Sequence, residues 1–137
     1  MNNDSKKNIV GDKPYSFALE TIKLYKKLTT AAKAYVFSTQ LLRSGTAYGV
    51  NINEAISSVI KRNFVHKLCI ALKESGETNY WLNLLKYTNY INTTIHQELS
   101  ISSKEIMKIL SSNILSTKER YLIQNYTTTP KTLTINF

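Results

Sequence analysis

The 137-residue chain has one cysteine, Cys69, two prolines and four glycines. A single thiol makes neither an internal disulfide nor a cysteine-rich zinc cage. So few breakers argue against a turn-dense sandwich and for long uninterrupted elements. Acidic residues are also scarce: 9 Asp and Glu stand against 18 Lys and Arg, a formal charge of +9. The longest unbroken apolar run, Leu68 to Leu72, has five residues, far below the ~20 that a bilayer-spanning helix needs. The opening MNNDSKKNIVGDKPY has no apolar signal-peptide core. No Gly-rich phosphate loop, zinc signature or Ser/His/Asp arrangement occurs. Apolar residues, by contrast, make up 42% of the chain, ample for the core of one compact domain. The expectation is a soluble, cytoplasmic, mostly helical protein that is not an enzyme, holds no metal or cofactor and touches no membrane.

Hydrophobic spacing divides the chain into four helices. Residues 1–13 are polar and without periodicity, and read as a flexible leader. Pro14 suits a first helical turn, where its missing N–H has no intrahelical partner. Phe17, Ala18, Ile22, Tyr25, Leu28 and Ala32 then recur at steps of three and four, giving helix one over Tyr15 to Ala34. Phe37, Leu41, Leu42, Ile52, Ala55 and Ile56, with Val59 just beyond, fall at helical spacing and give helix two over about Tyr35 to Ser58. Gly45 and Gly49 lie inside it and would ordinarily suggest a break, at a cost of about 1 kcal/mol each. Being four apart, they share a face and leave a groove for close helix packing. Helix three, Arg62 to Tyr90, carries two apolar stripes, Phe64/Leu68/Ala71/Ser75/Leu82/Leu85 and Ile70/Trp81/Leu84/Ile91. Two stripes mean a central helix or one with a side buried against another subunit. Ser102 and Glu105 have the spacing of a capping box and open helix four, Ser103 to Gln124. The four helices would make an all-α, antiparallel up-down-up-down four-helix bundle over residues 14–124. Residues 125–137 read as a frayed or extended tail, or as a docked strand-like arm.

The positive charge is unevenly placed. Residues 1–73 hold 12 Lys and Arg against 4 Asp and Glu, while residues 74–137 hold 6 against 5. A polyanion would therefore meet helices one to three, at Lys23, Lys26, Lys27, Lys33, Lys61, Arg62 and Lys67, because phosphate affinity comes largely from neutralised charge and released counterions. The bland alternative is a lysine-rich surface that keeps the protein soluble. With 15 Lys to 3 Arg, bidentate reading of bases is disfavoured.

Several polar side chains sit among apolar neighbours in helices two and three. Arg43, Asn51, Glu54, Glu74 and Glu77 read as a structural network in which Arg43 joins Glu54, Glu74 or Glu77, since a buried charge needs a partner. The carboxylates also admit a di-metal reading, but such bundles use Glu-x-x-His pairs, and here Asn63 and Thr93 precede His66 and His96 by three. His66 has no nucleophile or acid at a recognisable spacing, and Cys69 reads as a small buried hydrophobe. Trp81, after Tyr80, either fills a helix interface or stacks a base.

The stretch Gln40-Leu41-Leu42-Arg43-Ser44-Gly45-Thr46-Ala47-Tyr48-Gly49-Val50-Asn51-Ile52-Asn53-Glu54-Ala55 resembles the signature of the bacterial ribosomal RNA intervening-sequence family, whose members are sometimes labelled S23 ribosomal proteins. Ile70-Ala71-Leu72-Lys73-Glu74-Ser75-Gly76-Glu77-Thr78-Asn79-Tyr80-Trp81-Leu82 resembles the family's third-helix motif, and Phe17-Ala18 with Lys23-Leu24-Tyr25 matches its first helix more loosely. The likeness extends over about Tyr15 to Leu115. It implies an antiparallel four-helix bundle that assembles into a ring, commonly a homopentamer. A similar fold occurs in the accessory protein of diversity-generating retroelements, which engages a reverse transcriptase and nucleic acid. The family supplies no catalytic residues to carry over. Tyr48 replaces a smaller aliphatic residue, and Ile60 stands where a helix-capping serine is common.

Two functions follow as expectations. One is a non-enzymatic homo-oligomer that binds RNA or DNA electrostatically through helices one to three. The other is an oligomeric scaffold for a protein partner such as a nucleic-acid enzyme. A carboxylate metal site at Glu54, Glu74 and Glu77 is a third and weaker reading.

Overall fold

A computed structural model describes residues 12–32 and 34–128. Four helices account for nearly all of them: α1 Asp12–Lys27, α2 Tyr35–Ser57, α3 Lys61–Tyr87 and α4 Thr93–Thr128. No strand occurs among the described residues, and none of the helices is long and apolar enough to cross a membrane. The leader before residue 12 and the tail beyond residue 128 lie outside the described residues.

Side-chain pairs along the helices fix their directions. The Phe17 and Tyr48 rings meet at 5.2 Å between α1 and α2, and the α1–α2 link closes at Ala34, whose N–H donates to the Leu28 carbonyl at 3.1 Å. Between α2 and α3, Arg43 reaches Glu74 at 3.2 Å while Glu54, eleven residues later, meets Lys67 at 2.6 Å. Between α3 and α4, Lys61 donates to Gln124 at 3.0 Å and Asn79 to the Met107 sulfur at 3.4 Å. Partner numbers fall as residue numbers rise in every case, so consecutive helices run antiparallel, as the up-down-up-down expectation requires.

The core is built on a spacing of three and four. In α3 it is Phe64, Leu68, Ala71, Ser75, Thr78, Leu82 and Leu85, all buried. This is the pattern that places one stripe against neighbouring helices packed at a shallow angle. The second α3 stripe is only half covered, since Ile70, Trp81 and Leu84 are part-exposed, whereas Ile91 is buried in the loop beyond the helix. In α1 the buried positions include Phe17, Thr21 and Leu24, and Leu28 continues them into the turn that follows. Thr21, rather than Ile22, occupies the core, with its hydroxyl satisfied by the Phe17 carbonyl at 2.8 Å.

Several boundaries differ from the sequence expectation. Helix one winds as an α-helix only to Lys27, then loosens into a π-helical turn over Leu28–Ala32. There the Thr29 hydroxyl donates to the Tyr25 carbonyl at 2.8 Å, a back-bond that tends to bend helices. Helix three ends at Tyr87, and Asn89 follows in the left-handed region with φ 64°, a conformation asparagine tolerates better than most residues.

Helix four begins ten residues earlier than a capping box at Ser102 would place it. Asn92 is the actual cap: its Oδ1 accepts from the Ile95 N–H at 2.8 Å. Ser102 and Glu105 lie mid-helix. The helix also continues past Gln124 to Thr128, through the first residues assigned to the tail.

Helix two is continuous through both glycines. Only one forms a notch. A Cβ on Gly45 would stand 2.8 Å from Thr21 Cγ2, so α1 packs directly on the α2 backbone there. A Cβ on Gly49 would meet nothing within 4 Å. The shared groove expected for Gly45 and Gly49 is thus a contact at Gly45 alone, because Thr21 sits on the Gly45 backbone while Phe17 meets Tyr48 on the next turn and leaves the Gly49 position open.

Candidate functional site

The ionic cluster of the middle helices forms from α2 and α3, and it differs in membership from the expected network. Arg43 projects from α2 toward two carboxylates one turn apart on α3. Its Nη1 donates to Glu74 at 3.2 Å and its Nη2 pairs with Glu77. Gln40 Oε1 accepts from Arg43 Nε at 3.4 Å, and Trp81 Nε1 donates to Glu77 at 3.4 Å. The hydrogen bond to Glu77 raises the Arg43 pKa, and the same bond holds the Glu77 carboxyl below its usual range. Arg43 keeps 47% of its side chain exposed, so the cluster lies at the surface of the subunit rather than in its core.

Two expected members are elsewhere. Glu54 pairs with Lys67 at 2.6 Å, because the antiparallel register carries it about three turns from Arg43 along α2. Asn51 donates to the Ala47 carbonyl of its own helix at 2.9 Å. Glu54 therefore does not meet Glu74 and Glu77, and the three carboxylates do not converge on a point where an ion could sit. Among the described residues no group of three or more His, Cys, Asp or Glu could hold a metal.

The bundle interior holds a layer of hydroxyls that apolar spacing does not reveal. Tyr48 is fully buried, its ring edge-on to Phe17 at 75°. Its hydroxyl lies 2.6 Å from Ser103 Oγ of α4. Beside it, Thr78 Oγ1 donates to Ser44 Oγ at 2.9 Å. Burial pushes the Tyr48 phenol up, against the pull of hydrogen bonds from Ser103, Ser75 and Thr78. The large Tyr48 therefore fills the bundle centre and leaves the Gly49 face alone. These hydroxyls set register, since a buried polar group is best tolerated when it is paired.

The cations separate into two groups at opposite ends of the bundle. Lys26 and Lys27 end α1, next to the loop before α4. Lys61, Arg62 and Lys67 lie at the start of α3, level with Gln124 near the far end of α4. The length of α3, 27 residues, puts roughly 40 Å between these ends. Some of the charge is already balanced: Lys23 pairs with Glu20 at 3.2 Å and Lys67 with Glu54. Lys61 donates to neutral Gln124. Lys26, Lys27 and Arg62 are exposed and have no acidic partner among the described residues. Lys33 lies outside the described residues.

His66 is exposed and Cys69 half-buried rather than enclosed. Trp81 is part-exposed, stacked on Phe37 at 6.0 Å and edge-on to Tyr80 at 5.1 Å. The Ile60 position that a capping serine would fill is extended and provides no side-chain cap to α3.

No curated protein matches the chain. A solved structure does: a protein of unknown function from the S23 ribosomal protein family of Bacteroides thetaiotaomicron. It shares 46% identity and superimposes with a TM-score of 0.77, over 80% of this chain and 97% of that one. The family model for the 23S rRNA-intervening sequence protein matches residues 6–112, which takes in both the α2 stretch around Gly45 and the α3 stretch around Glu77. On that match, and on four antiparallel helices that carry it, the chain belongs to the 23S rRNA-intervening sequence protein family.

Proposed function

We propose that this protein is a non-enzymatic, homo-oligomeric four-helix bundle of the cytoplasm that binds RNA or DNA through basic residues of its first three helices. The observation that carries the reading is the imbalance of charge, +9 over the chain, with Lys26, Lys27 and Arg62 exposed and without acidic partners among the described residues. Lys61 adds to the cluster at the start of α3. Lys23 and Lys67 contribute less, because Glu20 and Glu54 already offset them. Two patches some 40 Å apart suit a long polyanion better than a small ligand.

Self-association is supported by apolar side chains left outside the core. Val36, Val50, Val59, Leu115 and Ile123 are each more than half exposed, and the second α3 stripe is only half covered. A ring of copies, a homopentamer in the family resemblance, would bury such surface and repeat each basic patch around an axis. A pentamer would carry five times +9, so weak individual contacts would act together.

The test is a titration of RNA and DNA binding against salt. Affinity should fall steeply as salt rises, and Lys26→Glu, Lys27→Glu or Arg62→Glu should each flatten the slope by roughly one counterion. Binding that is absent, or indifferent to salt, refutes the reading. The exposed apolar surface favours a second role, as a scaffold for a protein partner such as a nucleic-acid enzyme. A partner that stays bound after nuclease treatment, with no salt-dependent nucleic-acid binding by the isolated protein, would favour that role instead.

A further inference from the structure

The outward side of α3 has a composition of its own. Stepping by three and four from Arg62 gives His66, Cys69, Lys73, Gly76, Tyr80, Asn83 and Tyr87, positions that share one face of a helix. Every one of them is exposed except half-buried Cys69. Cations occupy the first half of the stripe and aromatic rings the second, and no Asp or Glu falls on it. The carboxylates of α3, Glu74 and Glu77, are both held by Arg43.

The two tyrosines are presented rather than packed away. Tyr80 is 57% exposed and Tyr87 76%. The Tyr80 ring is braced edge-on against Trp81, which is itself stacked on Phe37, so ordering it on binding costs little further side-chain entropy. Tyr87 carries its own cation, with Lys86 Nζ 5.4 Å from the ring centroid. Seven residues of helix put the rings about 10 Å apart along the axis. His96, which Asn83 meets at 2.7 Å, is held below its ordinary range by burial and then by the charges of Lys86 and Lys104.

Exposed rings next to cations are what an unpaired strand requires, because bases stack on the rings while the phosphates meet positive charge. A duplex offers its phosphates but hides its base faces. We propose that the outward stripe of α3 is a track for single-stranded nucleic acid, in which Tyr80 and Tyr87 stack bases and Lys73 and Lys86 contact phosphates. The proposal rests on the nucleic-acid reading above and names its substrate class as an unpaired strand.

The test uses the full chain, a fluorescein-labelled thymidine oligonucleotide of about 20 nucleotides, and the same oligonucleotide annealed to its complement. The expected result is binding of the single strand at least about tenfold tighter than the duplex, with a change in Trp81 emission on binding. Tyr80→Ala with Tyr87→Ala should weaken single-strand binding by about tenfold or more and barely alter duplex binding, whereas Tyr80→Phe with Tyr87→Phe should keep the preference. Equal affinity for the two probes, or no loss in the alanine variant, overturns the track; salt-dependent binding reduced by Lys26→Glu would then persist and leave the electrostatic reading standing. Failure of the parent protein to bind either probe removes both. A fall in solution mass of the folded alanine variant assigns the stripe to contact between copies and also overturns the proposal.

Discussion

The Tyr48 hydroxyl and Ser103 Oγ meet at 2.6 Å across the bundle, with both residues sealed from solvent. The contact links α2 to α4, helices that are not neighbours in sequence, and it fixes their relative height. Removing either partner leaves a buried hydroxyl short of a hydrogen bond, which costs about 1–3 kcal/mol. Tyr48→Phe should be the more damaging change, because the Tyr48 hydroxyl also has Ser75 and Thr78 within reach after Ser103→Ala. The double variant should lose less than the two single losses added together. Urea unfolding of the four proteins measures this; strict additivity would show that the pair is not coupled.

The two glycines of α2 should respond oppositely to alanine. At Gly45 a methyl group would strike Thr21 Cγ2 at 2.8 Å, and Thr21 is buried and tied to the Phe17 carbonyl, so it has little room to move. Gly45→Ala should destabilise by about 1–3 kcal/mol through overpacking. Gly49→Ala meets open space and should stabilise by up to about 1 kcal/mol through helix propensity. Thermal melts of both variants provide the comparison. A stabilised Gly45→Ala would mean that α1 is not seated on α2.

The Arg43–Glu77 pair should make stability depend on acid. Its hydrogen bond from Arg43 holds the Glu77 carboxyl below the ordinary 4.5, so below that value the unfolded chain takes up the proton more readily than the folded one. The contribution is complete above pH 4.5 and is lost as pH falls through the lower folded value. Glu77→Gln should therefore be less stable than the parent at neutral pH, and the gap should close in acid. Melting temperatures across an acid series check this; a gap that widens in acid would contradict the sign.

The start of α4 offers a direct choice between two caps. Asn92→Ala removes the acceptor for the Ile95 N–H and should cost about 1 kcal/mol. Ser102→Ala, at an exposed mid-helix position, should change stability by less than about 0.5 kcal/mol. Denaturant midpoints of the two variants decide it, and the reverse order would favour a helix that begins at Ser103.

Much of this is legible without coordinates, and the failures have a common cause. Helix two was readable through its glycines because Leu41, Ile52 and Ala55 keep the helical step on either side. The first ten residues of α4 were not, because Ser103 takes the core position between Leu99 and Ile106 and so breaks the apolar count where the helix does not break. Thr21 hides the core of α1 in the same way. A search for buried hydroxyls at steps of three and four would have found both. The Arg43 cluster was recognisable as a need for ionic partners, but Glu54 shared that need and only geometry could exclude it.

The sequence by itself determined the number of helices, the unbroken course of α2 and the charge excess of the first half, because spacing and composition are properties of the chain alone. The tertiary structure decided that Glu54 answers to Lys67, that Gly45 and not Gly49 receives α1, and that the cations counted together lie at two ends. Antiparallel stacking is the physical reason: it sets distant residues side by side and puts the end of α1 and the start of α3, with their cations, at opposite ends of the bundle.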